Sequence, residues 1–170
     1  GKDTLVGADI ELAKAIGEKL GVKVEFSVMS FDNVLANVQS GKADIAIAGI
    51  SVTDERKKVY DFSDSYYTSE NVVIVKKDKV NDYTSTDSLA KQTVGTQKGS
   101  VQETVAKKQI SKASVVSLAS NGEMINELKS GQLQAVVLEK AIAEGYIAQN
   151  DDLTLANFNL KSDGSDAYAV

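Results

Sequence analysis

One unit occurs twice in this chain, and the repetition limits the folds open to it more than any other feature. Ser30 opens a stretch with apolar residues at Phe31, Val34, Leu35 and Val38; it stops at Ser40-Gly41 and runs into the alternating Ala43-Asp44-Ile45-Ala46-Ile47-Ala48. Ninety positions later Ser120 opens a stretch that stops at Ser130-Gly131 and runs into Leu133-Gln134-Ala135-Val136-Val137-Leu138. Apolar spacing of three and four, closed by glycine, is a helix signal. The run that follows reads as a buried strand. Helix–glycine–strand units are common in α/β proteins, so the pattern predicts at least that class. The constant offset points further, to two lobes of similar build.

The remaining segments alternate in the same way. Asp9 caps a predicted helix with Ile10, Ala13, Ile16 and Leu20 on one stripe, ended by Gly21. Val22, Val24, Phe26 and Val28 alternate with polar residues and predict a strand over 22–28. Further strands are predicted at 43–48, 71–75, 93–97, 115–118, 133–138 and 153–158. Helices are predicted from the Lys98-Gly99-Ser100 turn to about Gln109, at 121–129 and at 140–149, with a short one at Leu89 in the polar connection 78–92. Strands alternating with helices predict an α/β fold, with mainly parallel sheets and helices on both faces. Both ends read as cut: Gly1-Lys2-Asp3-Thr4 runs straight into a helix, and Ala167-Tyr168-Ala169-Val170 reads as the start of a strand.

The inventory of side chains removes whole classes of chemistry. The 170 residues contain neither Cys nor His. Disulfides, thiolate nucleophiles, serine triads and His- or Cys-ligated zinc are therefore excluded. Absence of Cys suits an extracytoplasmic protein. A formal charge of −5 argues against nucleic acid as a partner. No apolar run approaches the ~18 residues that a membrane span needs.

One cation asks for an explanation. In Ala48-Gly49-Ile50-Ser51-Val52-Thr53-Asp54-Glu55-Arg56, Thr53 offers a helix cap and acids follow, yet Arg56 sits in the first turn. Helix starts favour acids. A guanidinium beside free backbone N–H groups can bind a carboxylate through two parallel hydrogen bonds; a solvated surface arginine is the ordinary alternative. Ligands in open α/β sheets bind beyond the carboxyl ends of the strands. In the first unit that end is Ala48 to Ser51, and in the second it is Leu138-Glu139. Arg56 and Glu139 would then face one cleft, a pair suited to a zwitterion. Glu139 can equally be an acid placed at a helix start for the dipole.

These residues carry a resemblance. Gly49-Ile50-Ser51-Val52-Thr53-Asp54-Glu55-Arg56-Lys57-Lys58, then Asp61-Phe62-Ser63 and Tyr66-Tyr67, with Val6-Gly7-Ala8-Asp9 and Val94-Gly95-Thr96-Gln97-Lys98-Gly99-Ser100, are similar to the type II solute-binding proteins of ABC importers. The polar amino-acid group is the nearest, glutamine-binding proteins included. Ala8 replaces the family's usual aromatic. The resemblance covers nearly all of the chain, as the middle of a family member without its first strand and C-terminal helical segment. It implies a two-lobed fold: residues 1–77 as lobe one, 78–165 as lobe two and 166–170 as a second hinge strand, with hinges near Val73–Lys77 and Asp166–Val170.

The resemblance also implies roles. Arg56 would hold the ligand α-carboxylate with Ser51, and backbone donors near Gly99, Ser100 and Val101 would close on it. The Gly49 carbonyl, beside Ala48, and the Glu139 carboxylate would take the α-ammonium; most relatives have Asp at the position of Glu139. Phe31 would lie against the ligand side chain, with Lys98 near its far end. An acid and an aromatic that follow the family's first strand are not in this sequence. The implied function is delivery of a free polar amino acid, glutamine or asparagine by preference, to the membrane subunits of an importer. It would act outside the cytoplasm as a monomer, either free, lipid-anchored or fused to a permease, with no cofactor, no metal and no catalytic residue. The alternatives are a dehydratase of the same fold acting on a prephenate-like acid, and the ligand-sensing domain of a receptor.

Overall fold

The chain is described here from a computed structural model that covers residues 5–162 and 167–170. Helix α1 (Ala8–Leu20) begins at Gly7, without a side-chain cap, and ends at Gly21. The expected cap, Asp9, lies in its first turn and accepts a hydrogen bond from the Tyr66 hydroxyl at 3.0 Å. Helix α2 (Phe31–Gln39) starts after Ser30, and α3 (Asp54–Lys57) after Thr53, whose hydroxyl accepts from the Arg56 N–H at 3.1 Å. Strand β1 (Tyr67–Thr68) pairs antiparallel with the last strand, β7 (Ala167–Tyr168).

Between them lies a five-stranded sheet. Its strands are β2 (Asn71–Lys76), β3 (Thr93–Gln97), β4 (Ser114–Leu118), β5 (Ala135–Glu139) and β6 (Leu153–Leu155), in the order β4-β3-β5-β2-β6. Helices α4 (Val101–Gln109), α5 (Asn121–Ser130) and α6 (Lys140–Gln149) connect them. Strands β4, β3 and β5 are parallel, because α4 and α5 supply the crossovers that parallel neighbours need. Strand β2 is antiparallel to both of its neighbours, so the sheet is mixed rather than mainly parallel.

The core follows from strand periodicity. All five residues of β5 are buried. Val136 and Leu138 face one side, packed with Ile74, Met124, Leu128 and Leu153. Ala135 and Val137 face the other, with Val73, Val75, Val94, Ala106 and Ile110. Each fully buried Leu, Ile or Val contributes roughly 1.5–3 kcal/mol, so this sheet is the stable frame on which the site is hung.

Two strand expectations are corrected. Segments 22–28 and 43–48 form no ladder among the described residues. The segment after α1 packs instead on the helix: a Cβ placed on Gly17 would lie 2.2 Å from Val24 Cγ2. Val22, Phe26, Val28 and Ile45 stay exposed. Alternation marks an extended amphipathic segment, and a strand needs partners as well. Val73–Lys77 are expected at the end of lobe one, near a hinge. Asn71–Lys76 form β2, paired with β5 and β6, with Ile74 and Val75 fully buried. The opening Gly1–Thr4 and Asp166 of the expected second hinge lie outside the described residues.

Candidate functional site

The site is built where chain turns meet the carboxyl ends of the strands. Gly49 adopts φ +59°, open to glycine at little cost, and a Cβ there would sit 3.5 Å from the Tyr168 ring. Ile50 and Ser51 are buried beyond it, and Ser51 bridges to Tyr168. Arg56 reaches back over this turn, and its Nη1 donates to the Ser51 carbonyl at 2.8 Å. With α3 only four residues long, Arg56 is in its last turn as much as its first, so the dipole argument loses force. What remains is the donor fan of the guanidinium itself.

The opposite wall comes from the five-stranded sheet. Strand β3 ends at Gln97, the chain turns through Lys98 and Gly99, and Ser100 caps α4. Gly99 has φ +79°, and a Cβ there would lie 3.1 Å from Asp32 Cβ and 3.2 Å from its Cα. The Gly99 carbonyl accepts from Arg56 Nη2 at 3.2 Å. Lys98 Nζ lies 3.3 Å from Asp32 Oδ2. Ser100 is buried and used locally: its Oγ donates to the Gln97 carbonyl at 2.6 Å and accepts from the Glu103 N–H at 3.4 Å.

Glu139 ends β5 and caps α6. Its Oε1 accepts from the Ala141 N–H at 3.0 Å, and its Oε2 from the Ile142 N–H at 3.1 Å. The Ser69 hydroxyl also donates to Oε1. The ordinary role weighed for Glu139, an acid at a helix start, is therefore present in the structure, and the residue also lines the cleft.

A cleft of about 60 Å³ gathers these parts. Phe31, Ala48, Gly49, Ser51 and Arg56 line one side, Val101 and Glu139 the other, all seven expected from sequence. Gly99 touches the site through its carbonyl, and Ser100 does not line it. Lys98 is the clear departure: it turns out toward Asp32, leaving its side chain 64% exposed, instead of toward the cleft. Leu138, named with Glu139 as a strand end, lines the cleft as well, and so do Gln97, Gln102, Asn121, Ile142 and Tyr168, which carry no expected site role. The signal that could have found Gln97, Gln102 and Asn121 was the strand-end rule already applied to Glu139.

A larger hollow of about 310 Å³ lies on the other side of Glu139, between Tyr67–Glu70 and Lys140–Glu144. Its cation, Lys140, is engaged by Glu70 at 2.9 Å, so it offers a carboxylate little. Electrostatics favour the smaller cleft. Burial pushes the Arg56 pKa down, and no carboxylate forms an ion pair with Arg56 among the described residues. A half-buried guanidinium held only by carbonyls favours an incoming anion. Among the described residues no group of three or more His, Cys, Asp or Glu could hold a metal, and no helix is long and apolar enough to cross a membrane.

Residues 1–140 match the family model for bacterial extracellular solute-binding proteins, family 3. The arginine-binding extracellular protein ArtP of Bacillus subtilis (strain 168) is 37% identical over 153 residues, covering 89% of this chain and 59% of that protein. The chain thus spans about 60% of the length of the curated relatives it matches first. Among solved structures, the amino acid ABC transporter substrate-binding protein AbpA from Streptococcus pneumoniae Canada MDR_19A, bound to L-arginine, superposes with a TM-score of 0.95 at 55% identity. That match covers 99% of this chain and 71% of the other. An ancestral arginine-binding protein bound to glutamine gives 0.89 at 40% identity, covering 98% and 73%.

Proposed function

The chain belongs to the bacterial extracellular solute-binding proteins of family 3, and on that premise we propose that it holds a free L-amino acid between its two halves and delivers it to the membrane subunits of an ABC importer. The observation that carries this reading is the half-buried Arg56, which no carboxylate neutralises among the described residues and which lies in a cleft with Glu139. A free amino acid brings the complementary pair: its carboxylate to Arg56 and its ammonium to Glu139 and the Gly49 carbonyl. The Nη1 and Nη2 donors, now on the Ser51 and Gly99 carbonyls, are spaced for a bidentate carboxylate. Backbone N–H groups of the Gly99–Val101 turn would close on the same anion, and Phe31 would cover the ligand side chain.

Size requires movement. Ligand sites usually enclose about 300–1,000 Å³, and this cleft has about 60 Å³. The halves must part to admit a ligand and close again over it. One crossing would lie at Ser69–Glu70, between β1 and β2. Closure excludes water and strengthens each charge-assisted bond.

The ligand ends in N–H donors. Glutamine or asparagine, preferred from sequence, and the arginine carried by the S. pneumoniae relative share that property. Calorimetric titration with the twenty amino acids tests the proposal. Saturable binding of arginine or glutamine with unit stoichiometry is expected; binding of none of the twenty would end it.

A further inference from the structure

Resting on the amino-acid-binding reading above, we propose that Asn121 is the residue that reads the ligand side chain, by accepting a hydrogen bond from a side-chain N–H. Asn121 lines the cleft with Arg56 and Glu139. Its Oδ1 is buried with no hydrogen-bond partner, the one such side-chain atom among the described residues. Buried acceptors in folded proteins are nearly always met by a donor, and leaving one unmet is costly. The usual structural explanation is already taken. Asn121 is the first residue of α5, but the cap is made by Ser120, whose hydroxyl accepts from the Glu123 N–H at 3.2 Å.

The neighbours narrow the chemistry. Gln102, also in the wall, has its Nε2 committed to Asn71 Oδ1 at 2.8 Å. Lys98, the cation expected there, is drawn off to Asp32. What the wall offers through Asn121 Oδ1 is an acceptor, which suits a ligand side chain that carries an N–H. Guanidinium and carboxamide both supply the required N–H, so arginine and glutamine are both suitable partners for Asn121 Oδ1. Specificity by an otherwise unmatched buried polar group is effective, because a ligand without the donor leaves the group unpaired.

The test is calorimetry on the wild-type chain, Asn121→Ala, Asn121→Asp and Arg56→Ala. Each is titrated with arginine, glutamine, glutamate and methionine, and folding is checked by circular dichroism. In Asn121→Ala, arginine and glutamine should weaken by about tenfold, the value of one buried hydrogen bond, while methionine is unchanged. Asn121→Asp, which can only accept, should keep arginine binding or tighten it. Equal loss for all four ligands in Asn121→Ala, no loss for any, or weaker arginine binding in Asn121→Asp would overturn the assignment. Unaltered binding in Arg56→Ala would instead count against the site reading beneath it, and no binding by the wild-type chain would overturn both.

Discussion

Arg56 Nη2 donates to the Gly99 carbonyl at 3.2 Å, joining residues 43 positions apart in sequence and on opposite walls of the cleft. Beside it, Lys98 and Asp32 meet at 3.3 Å, and the Gly99 backbone packs on Asp32. The two walls are thus drawn together by the group proposed to bind the ligand and by a separate ion pair next to it.

The ion pair should tune closure without deciding it. Lys98 is mostly exposed, and exposed pairs contribute only about 0.2–1 kcal/mol. Lys98→Glu should weaken ligand binding by less than about fivefold. The double variant Lys98→Asp/Asp32→Lys should recover most of that loss. Titration calorimetry with small-angle scattering of the ligand-bound form checks both, and a hundredfold loss in Lys98→Glu would mean that Lys98 contacts the ligand after all.

Asp32 carries a pH signature. Hydrogen bonding from Ser30, with Lys98 adding to it, holds its carboxyl below the ordinary value of 3.8. A carboxylate with a depressed folded-state pKa adds stability above its unfolded value, and that stability is lost as pH falls through the folded one. The Lys98–Asp32 contact is therefore intact at neutral pH and is lost only in acid below the ordinary carboxylate range. Following the Asp32 carboxyl carbon by NMR should show its midpoint rise in Ser30→Ala and, by less, in Lys98→Met. Unmoved midpoints would contradict this assignment of causes.

Glu139 does two jobs that mutation can separate. As the cap of α6 it satisfies the Ala141 and Ile142 N–H groups. Glu139→Ala should cost about 1 kcal/mol of stability, the usual worth of a cap, and also abolish ammonium binding. Glu139→Asp keeps the charge and suits a cap, so it should hold stability within about 0.5 kcal/mol. Urea denaturation reads the first effect and calorimetry the second.

Much of this was legible in local pattern. The Thr53 and Ser120 caps, the Gly131 stop at φ +85° and the buried run of β5 all depend on neighbours close in sequence, and the structure has them where expected. Seven cleft residues followed from the rule that ligands gather at strand ends together with the family motif. Segments 22–28 and 43–48 misled because alternation reports which face is apolar and says nothing of a ladder partner. Lys98 misled because its partner, Asp32, lies 66 residues away, and only tertiary packing brings them together. The sequence marks Asn121 only as the first residue of a helix; its unmet acceptor shows only in the folded structure.

The packing of β3 makes an independent prediction about the frame. A Cβ on Gly95 would come within 2.6 Å of Leu133 Cδ1 and 3.5 Å of Met124 Sδ, inside the core beneath α5. Overpacking costs about 1–3 kcal/mol, more than the ~0.5–1 kcal/mol gained by removing a strand glycine. Gly95→Ala should therefore lower stability by about 1–2 kcal/mol, and adding Leu133→Val should restore part of it. Denaturant midpoints decide; an Ala variant as stable as wild type would show that Leu133 can move aside freely.

The central claim is that the Arg56 guanidinium binds the ligand α-carboxylate. The most direct measurement is a thermodynamic cycle by calorimetry: wild type and Arg56→Ala, each titrated with L-arginine and with its α-carboxamide, which keeps the side chain and ammonium but lacks the carboxylate. The account predicts a loss of at least about 30-fold for either change alone, the worth of a charge-assisted pair, and little further loss when both are made together. Additive losses, or carboxamide binding as tight as that of the free acid, would contradict it.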